Sequence, residues 1–343
     1  MVNVGVIGCG KIAQVRHLPE YADNDKCRIC GIYDVNKERA AQIAEEYGAR
    51  AYGTAEELLE DSSIDAVSVC TANAAHAQIT IAALKAGKHV LCEKPMAVSL
   101  EDCEAMVNEA KKNDRFLMIG HNQRLAKAHV KARKLIESGA IGRILSFKTT
   151  FGHQGPETWT VDPAANWFFD KKKAVLGAMA DLGIHKTDLI QFLTGQRITK
   201  VTAFLGTLDK KDRNGELIGV DDNAICIYEL SEGAVGTMTA SWTMYGQEDN
   251  STVLYGTEGI LYLYDNPKYS IRLVNKDGEQ ILYALDQIQT NDNQTKSGVI
   301  DLWISCIENH TPPKISGEEA LYAMKAVFAA LKSAETGRTI NIE

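Results

Sequence analysis

The sequence predicts an α/β fold: an N-terminal unit on a parallel sheet, then an α+β unit with a large, mostly antiparallel open sheet. Three observations predict it. Residues 1–120 alternate short apolar runs with helix-like spacing. After about residue 145, β-like runs follow one another across short turns. The first apolar run ends in a glycine-rich turn that opens a helical pattern. Alternation of the first kind argues for parallel strands with crossover helices, and short turns between strands argue for antiparallel pairing.

The elements follow in order. "VNVGVIG", "RICGIYD", "DAVSVC", "HVLCE" and "RFLMIG" are continuously apolar, which suits strands covered on both faces. Segments 11–23, 37–47, 76–86 and 99–113 carry the apolar spacing of the intervening helices. The later runs are "RILSFKTTFGH", "ITKVTAFLGTL", "NAICIYEL", "AVGTMTASWTM", "STVLYGTEGILYLY" and "YSIRLVNKDGEQILYAL". They are punctuated by "RNGE", "SEGA", "GTEG" and "KDGE", which are turn signals. A helix is expected over 178–194, two more near 295–309 and 317–336, and a short last strand in "RTINI".

Composition narrows the function classes. The 343 residues are 45% hydrophobic and 24% charged, ordinary for a water-soluble globular chain with ample core. A net charge of −8 without a basic stripe argues against nucleic acid and against attraction to an anionic membrane. No run reaches the roughly 18 apolar residues of a membrane span, and Met1 leads straight into a strand without a signal-peptide pattern. Eight scattered cysteines suit buried thiols in a reducing compartment, so a cytoplasmic location is expected. Cys27 and Cys30 form C-x-x-C, but Cys30 belongs to a strand-like run and no second pair stands nearby, so no metal site is expected.

In "NVGVIGCGKIA", Gly8, Gly10 and Ala13 form G-x-G-x-x-A between a strand and a helix, with Lys11 and Ile12 inside the motif. The first glycine permits the tight turn, the second lets backbone approach a pyrophosphate, and the alanine lets helix and strand pack closely. The helix N-terminus then offers unpaired N–H groups to the phosphates. Asp34, at the end of the second strand, can accept both hydroxyls of an adenosine ribose and would repel a 2′-phosphate. This favours NAD over NADP. Lys37 and Arg39 are the cations that could still serve NADP, although both fit an exposed helix face. Asp34 also suits a helix N-cap, a role compatible with the first. Residues 1–122 are therefore expected to form an NAD-binding Rossmann domain. Residues 123–343 would be the substrate-binding and oligomerisation domain, with the final helix packing back on the first.

"HVLCEKPMAVS" sets Glu93, Lys94 and Pro95 where a parallel strand should end, at the sheet edge where such folds bind ligands. In "GAMADLGIHKTDLIQFL", Asp181 and His185 are four apart in a helical pattern and share a face. Oxidising an alcohol needs a group to take the hydroxyl proton as hydride leaves carbon. A histidine held by a carboxylate suits that task, and a nearby lysine could polarise the same oxygen. Spacing alone does not bring Lys94 to His185.

The whole chain resembles the Gfo/Idh/MocA family of nicotinamide-dependent sugar and cyclitol oxidoreductases. The resemblance is carried by "GVIGCGKIA", "SVCTANAAHAQITIAALKAGKHVLCEKPMA", "GHNQR", "GAMADLGIHKTDLIQFLTG" and "VDDNAICIYELSEGAVGTMTASW" followed by "LYGTEGILYL". It implies that Lys94, Asp181 and His185 meet over the nicotinamide, with His185 the base. It places Thr71, Ala72, Asn73 and His76 beside the cofactor, Glu93 and Lys94 near the nicotinamide ribose, and a cis bond before Pro95. Gln123 and Arg124 fall where relatives contact cofactor or substrate. A homodimer or homotetramer through the open sheet is also implied. Two departures stand out. Ala72 replaces a frequent proline, and Val175 and Leu176 replace two glycines of a frequent triplet that ends here in Gly177.

His153, Glu157, Trp159 and Trp167 are expected to wall the substrate cleft. Tryptophans suit the apolar faces of a sugar or cyclitol ring, and His or Glu can bind hydroxyls; core filling is the competing role for the tryptophans. The expected function is an NAD-dependent sugar or inositol dehydrogenase acting on a ring secondary hydroxyl. The alternatives are an NAD-assisted glycosidase that works by transient oxidation and elimination, and a non-catalytic NAD sensor.

Overall fold

The structure is a computed structural model, and it describes residues 1–161, 166–290 and 296–343. The first unit runs β1 (Val2–Ile7), α1 (Leu18–Ala22), β2 (Cys27–Tyr33), α2 (Lys37–Glu46), β3 (Arg50–Ala51), α3 (Ala55–Glu60), β4 (Ala66–Val69), α4 (His76–Lys85), β5 (His89–Cys92), α5 (Leu100–Lys112) and β6 (Leu117–Ile119). Its six strands pair in parallel in the order β3-β2-β1-β4-β5-β6. The order reverses at β1/β4, the switch point where open α/β sheets bind ligands. Helix starts follow the expected chemistry: Asn36, Thr54 and Ser99 each accept a backbone N–H of the first turn.

The second unit contains α6 (Lys127–Glu137), β7 (Ile144–Gly152), α7 (Ile184–Thr194), β8 (Ile198–Gly206), β9 (Asn223–Leu230), β10 (Val235–Ser241), β11 (Thr252–Gly256), β12 (Gly259–Asn266), β13 (Tyr269–Asn275), β14 (Gln280–Tyr283), α8 (Val299–Glu308), α9 (Gly317–Thr336) and β15 (Ile340–Asn341). Nine strands form one open sheet, β14-β13-β12-β11-β7-β10-β9-β8-β15. Only β7 and β10 pair in parallel, so the sheet is mostly antiparallel as the turn signals predict. One face carries α6, α7 and α9, while the other exposes Phe204, Ile225, Ile227, Val235 and Tyr255.

Two long-range returns tie the units together. Trp303 and Ile304 of α8 share an apolar cluster with Val4 of β1 and Ile29 of β2, so α8 covers the parallel sheet. α9 packs on α5 and β6 as well as on α7 and β8, and Ile119 N–H bonds the Ile315 carbonyl ahead of it. Two helices contain π-helical turns, Ala13–His17 before α1 and Met179–Gly183 before α7. Such turns concentrate at functional sites, and both border the same cavity. Cys27 and Cys30 both lie in β2, on opposite faces because strand side chains alternate, and both are free thiols.

Candidate active site

A cavity of about 1430 Å³ runs from the glycine turn after β1 to α7, walled by both units. Gly8 has φ +93°, and a Cβ there would stand 2.7 Å from the Cys70 backbone. No L side chain fits such a turn. At Gly10 a Cβ would approach nothing nearer than the Cys70 carbonyl at 4.0 Å, which leaves that side open to a close ligand. Lys11, Ile12 and Arg16 continue the wall. Asp34 closes this end: one oxygen accepts Cys9 N–H at 2.6 Å, the other Asn36 N–H at 2.8 Å. Each oxygen keeps acceptor capacity for a ribose hydroxyl. Asn36, not Asp34, caps α2. Arg39 also departs from the expected exposed face, since it reaches the cavity and lies 3.5 Å from Asp34.

Thr71, Ala72, Asn73 and His76 line the middle of the cavity. Ala72 has φ −69°, the value proline itself imposes, so the backbone there is that of the proline it replaces. Asn73 donates to the Ala174 carbonyl at 3.1 Å, and Ala74 N–H to that of Lys173, so this loop docks the second unit's 170–176 segment. His76 spans the Pro95 and Thr71 carbonyls at 2.8 and 3.0 Å. The Lys94–Pro95 bond is cis, as the resemblance implies. Glu93, 5% exposed, receives His17 at 2.9 Å, and His17 in turn meets Ser68 and, through it, Tyr21. Burial would raise the Glu93 carboxyl, but the hydrogen bond and charge of His17, with Arg16 and Lys94, bring it down to about 2.

At the far end, Lys94 Nζ donates to Asp181 Oδ1 at 2.8 Å and to the Asp181 carbonyl at 2.9 Å. Trp242 Nε1 donates to the other carboxylate oxygen at 3.1 Å. Burial pushes Asp181 up, and the Lys94 charge, with His153 and Trp242, more than offsets it and holds the carboxyl low. His185 lines the same cavity and is pushed well below the usual imidazole range, first by burial, then by the charges of Lys94, His121, Arg16 and Lys186. It is a neutral imidazole at neutral pH. Asp181 does not hold His185, as the shared helix face had suggested. Its oxygens are taken by Lys94 and Trp242, and His185 Nδ1 is buried without a protein partner among the described residues.

The remaining expected residues divide. His153, Trp159, Trp167 and Gln123 line the cavity. His153 Nδ1 accepts Gly155 N–H at 2.9 Å, so Nε2 carries the ring proton. Trp167 stacks on Phe168 at 4.0 Å, and Lys11 lies over Trp159. Glu157 is paired with Lys210 at 2.5 Å rather than turned to the cleft. Arg124 stands apart from this group. It lies outside the cavity wall, 6% exposed, with both Asp188 oxygens on its guanidinium at 2.6 and 2.7 Å. Arg16, which lines the cavity, and Trp242, which donates to Asp181, were not singled out from the sequence. Trp242 lies in the quoted "AVGTMTASW", where the end of a strand was its only signal.

The loop before Asp181 bears the second departure. Val175 keeps φ +65°, a left-handed backbone that glycine adopts freely and a β-branched residue only rarely. Asp221 grips the loop by accepting Gly177 and Met179 N–H at 2.8 and 2.7 Å. A Cβ on Gly177 would stand 1.8 Å from the Asp221 carbonyl oxygen. Gly177→Ala is therefore expected to cost about 3 kcal/mol, the upper range for an overpacked site, read as a lowered melting temperature.

Among the described residues no His, Cys, Asp and Glu cluster could hold a metal, and no helix is long and apolar enough to cross a membrane. Residues 2–121 match the model of an oxidoreductase family with an NAD-binding Rossmann fold, and residues 129–262 that of the GFO/IDH/MocA C-terminal domain. The chain is 27% identical over 343 residues to the myo-inositol 2-dehydrogenase of Thermotoga maritima, covering 100% of this chain and 99% of that one. It is 33% identical over 278 residues to the levoglucosan dehydrogenase of Pseudarthrobacter phenanthrenivorans, 75% of this chain and 68% of that one. The solved levoglucosan dehydrogenase complex with NADH and levoglucosan superposes with a TM-score of 0.85 at 25% identity, over 99% of each chain. With both domain models matched in order around the cavity just described, the chain belongs to the GFO/IDH/MocA oxidoreductase family, and its first unit is an NAD-binding Rossmann domain.

Proposed function

We propose that this protein oxidises a ring secondary hydroxyl of a sugar or cyclitol, with NAD as the other substrate. Residues 1–122 hold the dinucleotide and 123–343 supply the substrate wall, α8 and α9 returning to the first unit. The observation that carries the reading is the Lys94–Asp181 pair across the two units, beside a neutral His185 in one cavity. Bound NAD supplies the hydride acceptor. Gly8, Gly10, Lys11, Ile12, Asp34, Thr71, Ala72, Asn73, His76, Glu93 and Gln123 fit it, because they line one continuous groove from the glycine turn to Lys94.

The chain does the rest. An ammonium has three N–H donors. Asp181 engages two of those of Lys94, and the third serves the reacting hydroxyl oxygen. His185 Nδ1 is buried, so Nε2 faces the cavity and takes the hydroxyl proton as the hydride departs. Trp159, Trp167 and Phe151 shape an apolar wall against which a ring can lie, with His153 offering a donor.

An absorbance screen for NADH with cyclitols, aldoses and anhydrosugars tests the reading. Turnover with a ring polyol supports it, and sugar release from glycosides without net NADH would replace it. Because His185 is held below its ordinary 6.5, the acid limb of kcat/KM for oxidation is expected below pH 6.5. A limb at or above that value would remove His185 as the base. We also propose that the exposed sheet face pairs with a second copy. Ile225 and Ile227 lie 50% and 49% exposed on β9, so Ile225→Asp with Ile227→Asp is expected to give monomers by light scattering.

A further inference from the structure

Three buried ring nitrogens on two histidines near α7 lack a hydrogen-bond partner among the described residues. His185 Nδ1 is buried without a protein partner among the described residues, and so are both ring nitrogens of His121. His121 is 1% exposed and follows β6 at the carboxyl edge of the parallel sheet. Its Nε2 lies 3.9 Å from Asp188 Oδ1, beyond hydrogen-bond reach. Asp188 stands one turn along α7 from His185, on the same side of the helix. The His121 ring therefore lies against the side of α7 that carries His185. Arg124 holds both Asp188 oxygens and fixes the carboxylate at this distance from the His121 ring.

We propose that a buried water joins the His121 and His185 imidazoles, and that His121 is thereby the positioning residue that fixes the tautomer and orientation of the base. The inference rests on the dehydrogenase reading given above. A buried polar atom left unpaired costs about 1–3 kcal/mol, and three such atoms on two rings along one side of α7 are a setting in which proteins hold internal water.

The water accepts His185 Nδ1–H and donates to a His121 nitrogen. His185 is then held with its Nε2 lone pair toward the cavity. When Nε2 takes the substrate's hydroxyl proton, the positive charge that appears on the ring is supported through Nδ1–H to the water. That support matters because the charged groups facing His185 are mostly cations: Lys94, Arg16 and Lys186, with Asp181 turned to Lys94. Around His121 stand Asp188, Arg124, Glu93 and Lys94, and burial holds its ring neutral. A neutral partner is what this surrounding permits.

His121→Phe and His121→Gln test it. In His121→Phe, kcat is expected to fall about ten- to a hundredfold, the scale of a misplaced catalytic group. The KM for NAD should stay unchanged, and the acid limb should move to lower pH, since the imidazolium loses its support. His121→Gln keeps a polar partner and should retain both the rate and the limb. Wild-type kcat and limb in His121→Phe would overturn the proposal, as would equal loss in both variants with an unmoved limb. A high-resolution crystal structure of the wild-type protein gives a readout independent of turnover. Water within hydrogen-bond distance of His185 Nδ1 and a His121 nitrogen supports the proposal, and any other group in that place overturns it. Should that water be seen while no polyol is oxidised, the function fails and the pairing stands.

Discussion

Lys94→Met is expected to lower kcat/KM on the order of 10³-fold, the scale of losing a positioned proton-handling or charge-stabilising group. The side chain is replaced by one of similar length, so the cavity keeps its shape and only the ammonium goes. What remains is Asp181, largely buried, with Trp242 as its surviving partner. Burial, no longer offset by Lys94, then raises the Asp181 carboxyl above its unfolded value. A carboxyl raised in the folded state holds its proton there, so the single variant loses stability as pH rises from about 4 toward neutrality. Adding Asp181→Asn removes the uncompensated carboxylate. The double variant should regain melting temperature at neutral pH without regaining turnover. Recovery of turnover in the double variant would show that Lys94 acts only by neutralising Asp181, and its role at the reacting oxygen would fall.

Both sheets were legible because their signals are local. Continuous apolar runs mark strands buried on both faces, and "GTEG" and "KDGE" mark turns that force antiparallel neighbours. The covering of the parallel sheet by α8 was not legible, since an apolar helix face does not say which sheet it meets. The site divides the same way. Gly8, Gly10 and Asp34 lie within one strand–helix–strand unit whose geometry is stereotyped. The Asp181–His185 pairing was an inference from spacing, and spacing cannot see competitors. Lys94, 87 positions away, and Trp242, 61 away, claim both carboxylate oxygens. A helix face predicts who stands beside whom and is silent about what arrives from another unit.

Arg124→Leu is the second large effect, and its sign separates two roles for the same residue. A substrate contact, as "GHNQR" had suggested, would lose affinity for the sugar and leave the fold intact. The structure instead gives Arg124 a bidentate pair with Asp188, which is 2% exposed, and a longer contact of 3.8 Å to Glu319. Burial alone would make the guanidinium easier to deprotonate, but Asp188 and Glu319 more than reverse this. Removing one partner of such a pair leaves a buried charge uncompensated and costs about 3–5 kcal/mol. The melting temperature should therefore fall by several degrees. Below the transition, the KM for the sugar should stay within about twofold of wild type, because Arg124 does not border the cavity. Replacing Asp188 by Leu as well should recover most of the stability, since an apolar pair of similar volume is often no worse than a buried ion pair. A raised KM with an unchanged melting temperature would return Arg124 to the substrate.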